Sequence, residues 1–463
     1  DHMKLKWLLF MLACAVFTQC NSNNSQQDQN EKLMDTSVLN TTFWIHQTNV
    51  YEVNLRQYTA EGTLNAFVQH LPRLKAMGVE TLWFMPITPI AQKNKKGNLG
   101  SYYAAADYTS VSPEFGTMDD FKKLVTQAHE MGFKVIIDWV ANHTGWDHKW
   151  TVEHPGYYAK DSATSTFKIA SGMDDIIELD YKNPQLRKAM IDAMLYWIKE
   201  ADIDGFRCDL ATWVELDFWQ EAKPELEKTK KLFWLGEFDA LENPEYLQVF
   251  DAAYCWTWMH KTEDFYKGKT DLATLKELLN RYDSACGNNK MTLWFTTNHD
   301  ENSWNGTEYE KYGDMAQALA VLSFTWNGIP LIYSGQELPN KKRLKFFEKD
   351  TIEWNGKFEL QDFYHTLLAL RKSNVALSAG DPSVRTYLLK TRYEDKVLAY
   401  LRKNGKKEVL VLLNFSKDDL SFTIESEKLK GNFQDVFNKE NSFEANADKK
   451  FNVKPWQYLV FEK

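Results

Sequence analysis

Short apolar runs rich in β-branched and aromatic residues recur along the chain through about residue 373: Thr81-Leu82-Trp83-Phe84, Val135-Ile136-Ile137, Phe206 to Leu210, Phe233-Trp234-Leu235, Leu293 to Thr296 and Ile329 to Tyr333. Each is short and predicts a buried strand. Between them, apolar side chains return at helical spacing. Leu64, Phe67, Val68, Leu71 and Leu74 share one stripe, as do Phe121, Leu124, Val125 and Ala128, and Leu186, Met190, Ile191, Met194 and Leu195. Strands alternating with amphipathic helices imply βα units closed into a parallel (β/α)8 barrel, an α/β fold. The one long interruption, 144–182, follows the Val135–Ile137 strand and ends in the helix start Asn183-Pro184. After Ser373 the pattern changes to strands such as Lys396 to Leu401, Glu408 to Asn414 and Gln457 to Phe461, separated by Asn, Gly and Asp turns, so a small antiparallel β domain is expected at 376–463.

A length of 463 residues suits a barrel of about 250 residues or more with additions. The expected organisation is a barrel over 39–375 interrupted by a short insertion at 144–182, then the β domain. The net charge of −9, with no Lys/Arg cluster, argues against a nucleic-acid partner. A monomer is expected. Asp1 and His2 precede Met3 and read as a tag remnant. Lys4 and Lys6 then lead into the apolar run Trp7 to Phe17, which is shorter than the roughly 20 residues of a membrane-spanning helix and has the form of an export signal. Cys20 stands where a bacterial lipoprotein carries its lipid, so 1–20 is expected to be a signal peptide, and the Asn/Gln/Ser-rich stretch 21–38 a disordered tether. Export, with attachment at the outer membrane through that lipid or a periplasmic location, is the resulting expectation. Cys208, Cys255 and Cys286 form no metal-ligand spacing and read as core thiols.

The candidate chemistry lies in four segments in fixed order: Asp138-Trp139-Val140-Ala141-Asn142-His143, Gly205-Phe206-Arg207-Cys208-Asp209, Gly236-Glu237 and Phe295-Thr296-Thr297-Asn298-His299-Asp300. Each reads as the carboxyl end of a strand, the face on which a parallel barrel carries its active site, so Asp209, Glu237 and Asp300 could meet although far apart in sequence. Arg207 lies two residues before Asp209. On a strand both side chains face the same way, and a permanent cation there favours an ionised carboxylate. Glu237 follows an apolar strand with no cationic neighbour along the chain, conditions that raise a carboxyl pKa toward the range of a general acid.

In order, spacing and residue types these segments resemble glycoside hydrolase family 13, the α-amylase family, and the likeness extends from Val50-Tyr51-Glu52-Val53 through Gly328 to Glu337 and on to Leu370-Arg371-Lys372. The resemblance implies a retaining α-glycosidase acting on α-1,4-linked glucans such as starch or maltooligosaccharides, with 144–182 as the family's domain B. It makes Asp209 the nucleophile, Glu237 the general acid/base and Asp300 a third carboxylate holding sugar hydroxyls. It gives His143 and His299 hydrogen bonds to the sugar at the cleavage point, and Tyr103 a stacking role under it. Asp138 is expected to brace the site. Thr212-Trp213 replaces a Lys-His pair that many α-amylases carry, and Trp213 either stacks on the leaving-side sugars or fills the loop. No cofactor is required. Calcium is the one metal the family suggests, through Asn142 and oxygens from Asp161, Asp174, Asp175 or Asp180, which lack a specific loop spacing. An exo-acting α-glucosidase or α-1,6-glucosidase, a transglycosylase and a non-catalytic glucan-binding protein remain alternatives.

Overall fold

The computed structural model describes residues 43–287 and 289–463. Eight parallel strands close into a barrel: β1 (Val50–Val53), β2 (Thr81–Phe84), β3 (Lys134–Trp139), β4 (Gly205–Cys208), β5 (Phe233–Asp239), β6 (Ala252–Tyr254), β7 (Met291–Trp294) and β8 (Ile329–Tyr333). Neighbours in sequence are neighbours in the sheet, and β8 returns to β1 with Leu331 opposite Val50. Because helices cover the outside and side chains fill the inside, the strands are buried on both faces, and this is why they read as continuous apolar runs. The hydrophobic runs foreshadow six of the eight. Strand β6 has only Ala-Ala-Tyr to announce it, too short for a period to register.

Helix ends follow local chemistry. Thr117 and Asp120 form a reciprocal capping box before Met118–Glu130, and Asn183 caps Pro184–Ala201 with Pro184 in the first turn, where a missing N–H costs nothing. The apolar stripe from Leu64 to Leu74 is not one helix. It breaks into Leu64–Val68 and Leu71–Met77, because Pro72 cannot donate into a preceding turn and so begins a new helix.

Between β3 and β4 the chain builds a small antiparallel sheet from His143–Gly145, Met173–Glu178 and Ile169–Ala170. Its first strand starts at His143, so the inserted sheet grows directly from the active-site end of β3. Beyond the barrel, six antiparallel strands run in the order Arg385–Leu389, Val397–Asn404, Lys407–Asn414, Tyr458–Glu462, Gly431–Asp435, Ser442–Ala445. They pack a core that includes Leu401, Leu410, Leu412, Phe433 and Phe461. The buried Arg402 guanidinium donates to Thr325 O of the barrel at 2.9 Å and ties this sheet to it. Cys208, Cys255 and Cys286 are buried free thiols. Among the described residues no helix is long and apolar enough to cross a membrane.

Candidate active site

Side chains from β2, β3, β5 and β6, and from the turn that ends β4, converge on Arg207, which is fully buried. Its Nη1 donates to Asp138 Oδ1 at 2.9 Å and to Asp209 Oδ1 at 3.0 Å, its Nε donates to Tyr254 Oη at 3.0 Å, and its Nη2 lies 2.9 Å from Glu237 Oε2 as a charge contact. Trp83 covers the guanidinium with its ring centroid 4.9 Å away. One cation therefore organises three carboxylates contributed by three strands. Asp138 also accepts from Trp83 Nε1 at 3.0 Å and Tyr103 Oη at 2.9 Å, so its oxygens are occupied by protein donors, consistent with a bracing part.

Glu237 is not at the end of its strand; β5 continues to Asp239. The pairing with β6 slips here, Gly236 lying opposite Ala253 and Asp239 opposite Tyr254, and such an irregularity re-aims a side chain. Gly236 is required at its start: a Cβ there would come within 2.5 Å of the Phe238 ring. After Asp209, Leu210 adopts a left-handed conformation, φ 41°, unusual for a residue with a side chain, and its N–H donates to Glu237 Oε2 at 2.9 Å. The turn that ends β4 thus fixes the carboxylate carried by β5.

Burial raises both acids. Loss of water pushes Glu237 up to about 7, against the pull of Arg207 and helped by the charges of Asp209 and Asp300. Asp209 is raised less, to about 6, by burial opposed by Arg207. Along the sequence Glu237 has no cationic neighbour, but in space Arg207 stands beside it, so its high proton affinity comes from burial and neighbouring carboxylates rather than from isolation.

Asp209, Glu237, Asp300, Tyr103, His143 and His299 all line one cavity of about 380 Å³. His143 is buried and neutral, its pKa lowered to about 4 by loss of water; Nδ1 meets the Asn142 amide, while Nε2 has no partner among the described residues. A buried nitrogen left unpartnered at a cavity wall suits a ligand hydroxyl. Tyr103 stacks on His299, centroids 5.3 Å apart and planes 17° apart. Arg207 lies beneath the cavity rather than on its wall. Trp213 is 45% exposed in the turn after Leu210 and does not line the cavity.

Sequence reasoning missed several wall residues, Lys96, Met173, Trp304, Phe346 and Phe347, and offered Asp175 only as a calcium donor. Phe346 and Phe347 lie in an irregular segment after β8 with no periodic pattern to flag them. Trp304, 52% exposed, sits in a π-helical turn, Glu301–Asn305, directly after Asp300, with Phe346 at 5.4 Å between ring centroids.

The donors suggested for calcium do not fit that ion. Asn142 is engaged with His143, Asp161 Oδ1 accepts from Ala163 N and Thr164 N in its own loop, Asp180 Oδ1 accepts from Lys182 N, and Asp174 and Asp175 lie 3.3 and 3.4 Å from the Lys96 ammonium. Among the described residues no group of three or more His, Cys, Asp or Glu side chains could hold a metal.

The family model for the α-amylase catalytic domain matches residues 16–167 and 156–362, and the model for the maltogenic amylase C-terminal domain matches 388–460. The chain belongs to the α-amylase family. It is therefore a glycoside hydrolase. The crystal structure of the maltogenic α-amylase AmyB from Thermotoga neapolitana superposes with a TM-score of 0.83 at 28% identity, covering 91% of this chain and 99% of that one. α-Amylase 2 of Dictyoglomus thermophilum is 27% identical over 414 residues, 84% of this chain and 69% of the relative. The intracellular maltogenic amylase of Bacillus subtilis is 27% identical over 348 residues, 69% of this chain and 56% of the relative. This last similarity corrects the expectation of export and of a lipid at Cys20: this family member of matching sequence is named as intracellular, and the residues on which the expectation rests lie outside the described ones.

Proposed function

We propose that this member of the α-amylase family hydrolyses α-1,4-glucosidic bonds of maltooligosaccharides with retention of configuration, Asp209 serving as nucleophile, Glu237 as general acid/base and Asp300 as the carboxylate that holds sugar hydroxyls. The observation that carries the reading is the Arg207 guanidinium, with Asp209 on one terminal nitrogen and Glu237 beside the other. Two carboxyl groups sharing one guanidinium suit the closer of the two glycosidase spacings, about 5–5.5 Å, rather than the 6.5–9.5 Å that leaves room for water between them.

The steps follow from proton affinities. Glu237, the weaker acid of the two, gives its proton to the glycosidic oxygen as the bond to the anomeric carbon breaks. An Asp209 oxygen attacks that carbon from the opposite face, forming a glycosyl ester. Esterification removes the Asp209 charge, one of the charges that raise Glu237, so after giving up its proton Glu237 stays ionised and, as a carboxylate, accepts the proton of the attacking water. Water then attacks the anomeric carbon, the Asp209 ester breaks, and the α configuration is restored. His143 Nε2 and His299 would meet hydroxyls of the same sugar, and Tyr103 would support its ring. The name of the Thermotoga relative, a maltogenic α-amylase, supports the substrate class.

The test is the anomer first released. Proton NMR during the first minutes of maltoheptaose hydrolysis is expected to show α product, with β appearing only by mutarotation. β product first would overturn the assignment.

A further inference from the structure

Glu52 lies on β1, where the family likeness begins but outside the four segments that hold the candidate chemistry, and is fully buried against His299. Its Oε1 meets His299 Nδ1, and its Oε2 has no partner among the described residues. A buried carboxylate with a free oxygen is expensive, and nothing in barrel packing demands one here. Its reason lies in the proton count around the imidazole.

Asp138 Oδ2 accepts from Tyr103 Oη at 2.9 Å, so the single Tyr103 proton is committed to Asp138. The Tyr103 oxygen, 3.0 Å from His299 Nε2, can then only accept, so Nε2 carries a hydrogen. An ionised Glu52 only accepts as well, so Nδ1 carries one too. We propose that Glu52 is a positioning residue that holds His299 as an imidazolium, with its Nε2–H directed at Tyr103 and Asp300 on the cavity wall.

The other groups facing the ring agree in sign or oppose weakly. Asp300 Oδ2 lies 3.3 Å from Nε2 and favours the cation. Arg207 on β4 opposes it; Trp83 on β2 and Phe346 present neutral rings at 6.0 and 6.4 Å. Asp300 and Glu52 outweigh both Arg207 and burial, and His299 is raised to about 9. Glu52 is itself raised, by burial and by Asp300, against the opposing pull of His299 and Arg207. The committed Tyr103 proton and the raised His299 place the shared proton on the ring. An imidazolium at this place donates to Tyr103, fixing the ring on which the sugar would rest.

The experiment uses full-length protein carrying 15N-labelled histidine, with the His299 signals identified by their loss in His299→Gln. In the unmodified enzyme both ring nitrogens are expected to be protonated at pH 7.5 and to titrate near 9. Glu52→Gln, close to isosteric, should bring the titration toward the ordinary value of about 6.5. A neutral His299 at pH 7.5, or a titration unmoved by Glu52→Gln, overturns the proposal; should that variant fail to fold, the unmodified enzyme's titration decides alone.

The kinetic consequence rests on the function proposed above and is read separately. With an aryl α-glucoside whose acidic phenol leaves without protonation, kcat/KM no longer reports Glu237. Glu52→Gln should then lose about 30-fold at pH 8 but less than about 1.5-fold at pH 6, the change in imidazolium fraction for a shift from about 9 to about 6.5. A loss equal at all pH values would make Glu52 merely structural and overturn the proposal. If the unmodified enzyme cleaves no α-glucoside, the function fails while the NMR result stands.

Discussion

The Lys96 ammonium lies 3.4 Å from the Asp175 carboxylate, joining the loop after β2 to the inserted sheet at the cavity wall. Although Asp175 is only 7% exposed, Lys96 is 39% exposed and its second partner, Asp174, 75%, so solvent screens the ammonium and the contacts add about 1 kcal/mol to stability. Its effect should be on the shape of the cavity instead. Lys96→Met is expected to leave the melting temperature nearly unchanged while raising KM for maltooligosaccharides several-fold and changing the lengths of the products. Chromatography of maltoheptaose digests checks this; an unchanged product pattern would separate the pair from substrate binding.

The two central carboxyl groups should fail in different ways. Glu237→Gln removes proton donation, worth about 10²–10⁴-fold on natural glucan, but an acidic phenol departs without it. Glycosylation by an aryl α-glucoside should survive in Glu237→Gln and vanish in Asp209→Asn, because no leaving group compensates for a missing nucleophile. Burst kinetics on both substrates distinguish the variants. Rescue of Asp209→Asn alone would exchange the two roles.

Activity on glucan should be confined to a narrow pH range. Glu237, at about 7, must hold its proton, so kcat/KM falls as pH rises through that value; Asp209, at about 6, must be ionised, so it falls as pH drops below that value. The two titrate as a pair, and the profile should be a bell with its maximum between them. A plateau extending beyond pH 8 would contradict the high proton affinity of Glu237.

The same shift has a cost in stability. A carboxyl raised in the folded state costs stability when ionised, and that cost builds up as pH rises from its ordinary value of 4.5 to about 7 and is complete above it. Glu237→Gln should therefore stabilise the protein at pH 8, by about 1–3 kcal/mol, and by about a quarter of that at pH 5. Arg207 does not lose its compensation, since Asp138 and Asp209 remain bonded to it. Asp138→Asn, by contrast, weakens the bracing of Arg207 and should destabilise at both pH values. Thermal melts of the two variants at the two pH values provide the check.

Two exposed tryptophans flank the reaction centre. Trp304 continues the aromatic wall of Tyr103 and Phe346 outward, while Trp213 follows the turn after Asp209. An aryl glucoside fills only the central sugar position, so Trp304→Ala should lower kcat/KM for maltoheptaose several-fold and change it less than about twofold for the aryl glucoside, a stacked ring being worth about 1 kcal/mol. Trp213→Ala should do the same if its ring stacks on leaving-side sugars. Equal losses on both substrates would assign either ring to holding its loop.

Strand and helix identity, the parallel barrel and the three carboxylates were legible in the chain because each leaves a local mark. A buried strand needs a short apolar run, a covering helix needs a stripe at its own period, and the candidate carboxylates stand in segments at or just after strand ends. Asp209, Glu237 and Asp300 could thus be named before they were seen together. What local pattern does not encode is who faces whom. Strand β6 has three residues and no period, the helix break at Pro72 hides inside a continuous stripe, and Phe346 and Phe347 come from an irregular segment whose path is set by packing. Arg207 looked like the partner of Asp209 alone, yet its guanidinium also meets Asp138 and lies beside Glu237, because barrel closure brings β3, β4 and β5 side by side at one end. Glu52 and His299 are 247 positions apart and meet only because β1 closes the barrel near β7. Proton affinities belong to this second class as well: they depend on burial and on charges within a few ångströms, and those distances exist only once the strands have closed into a ring.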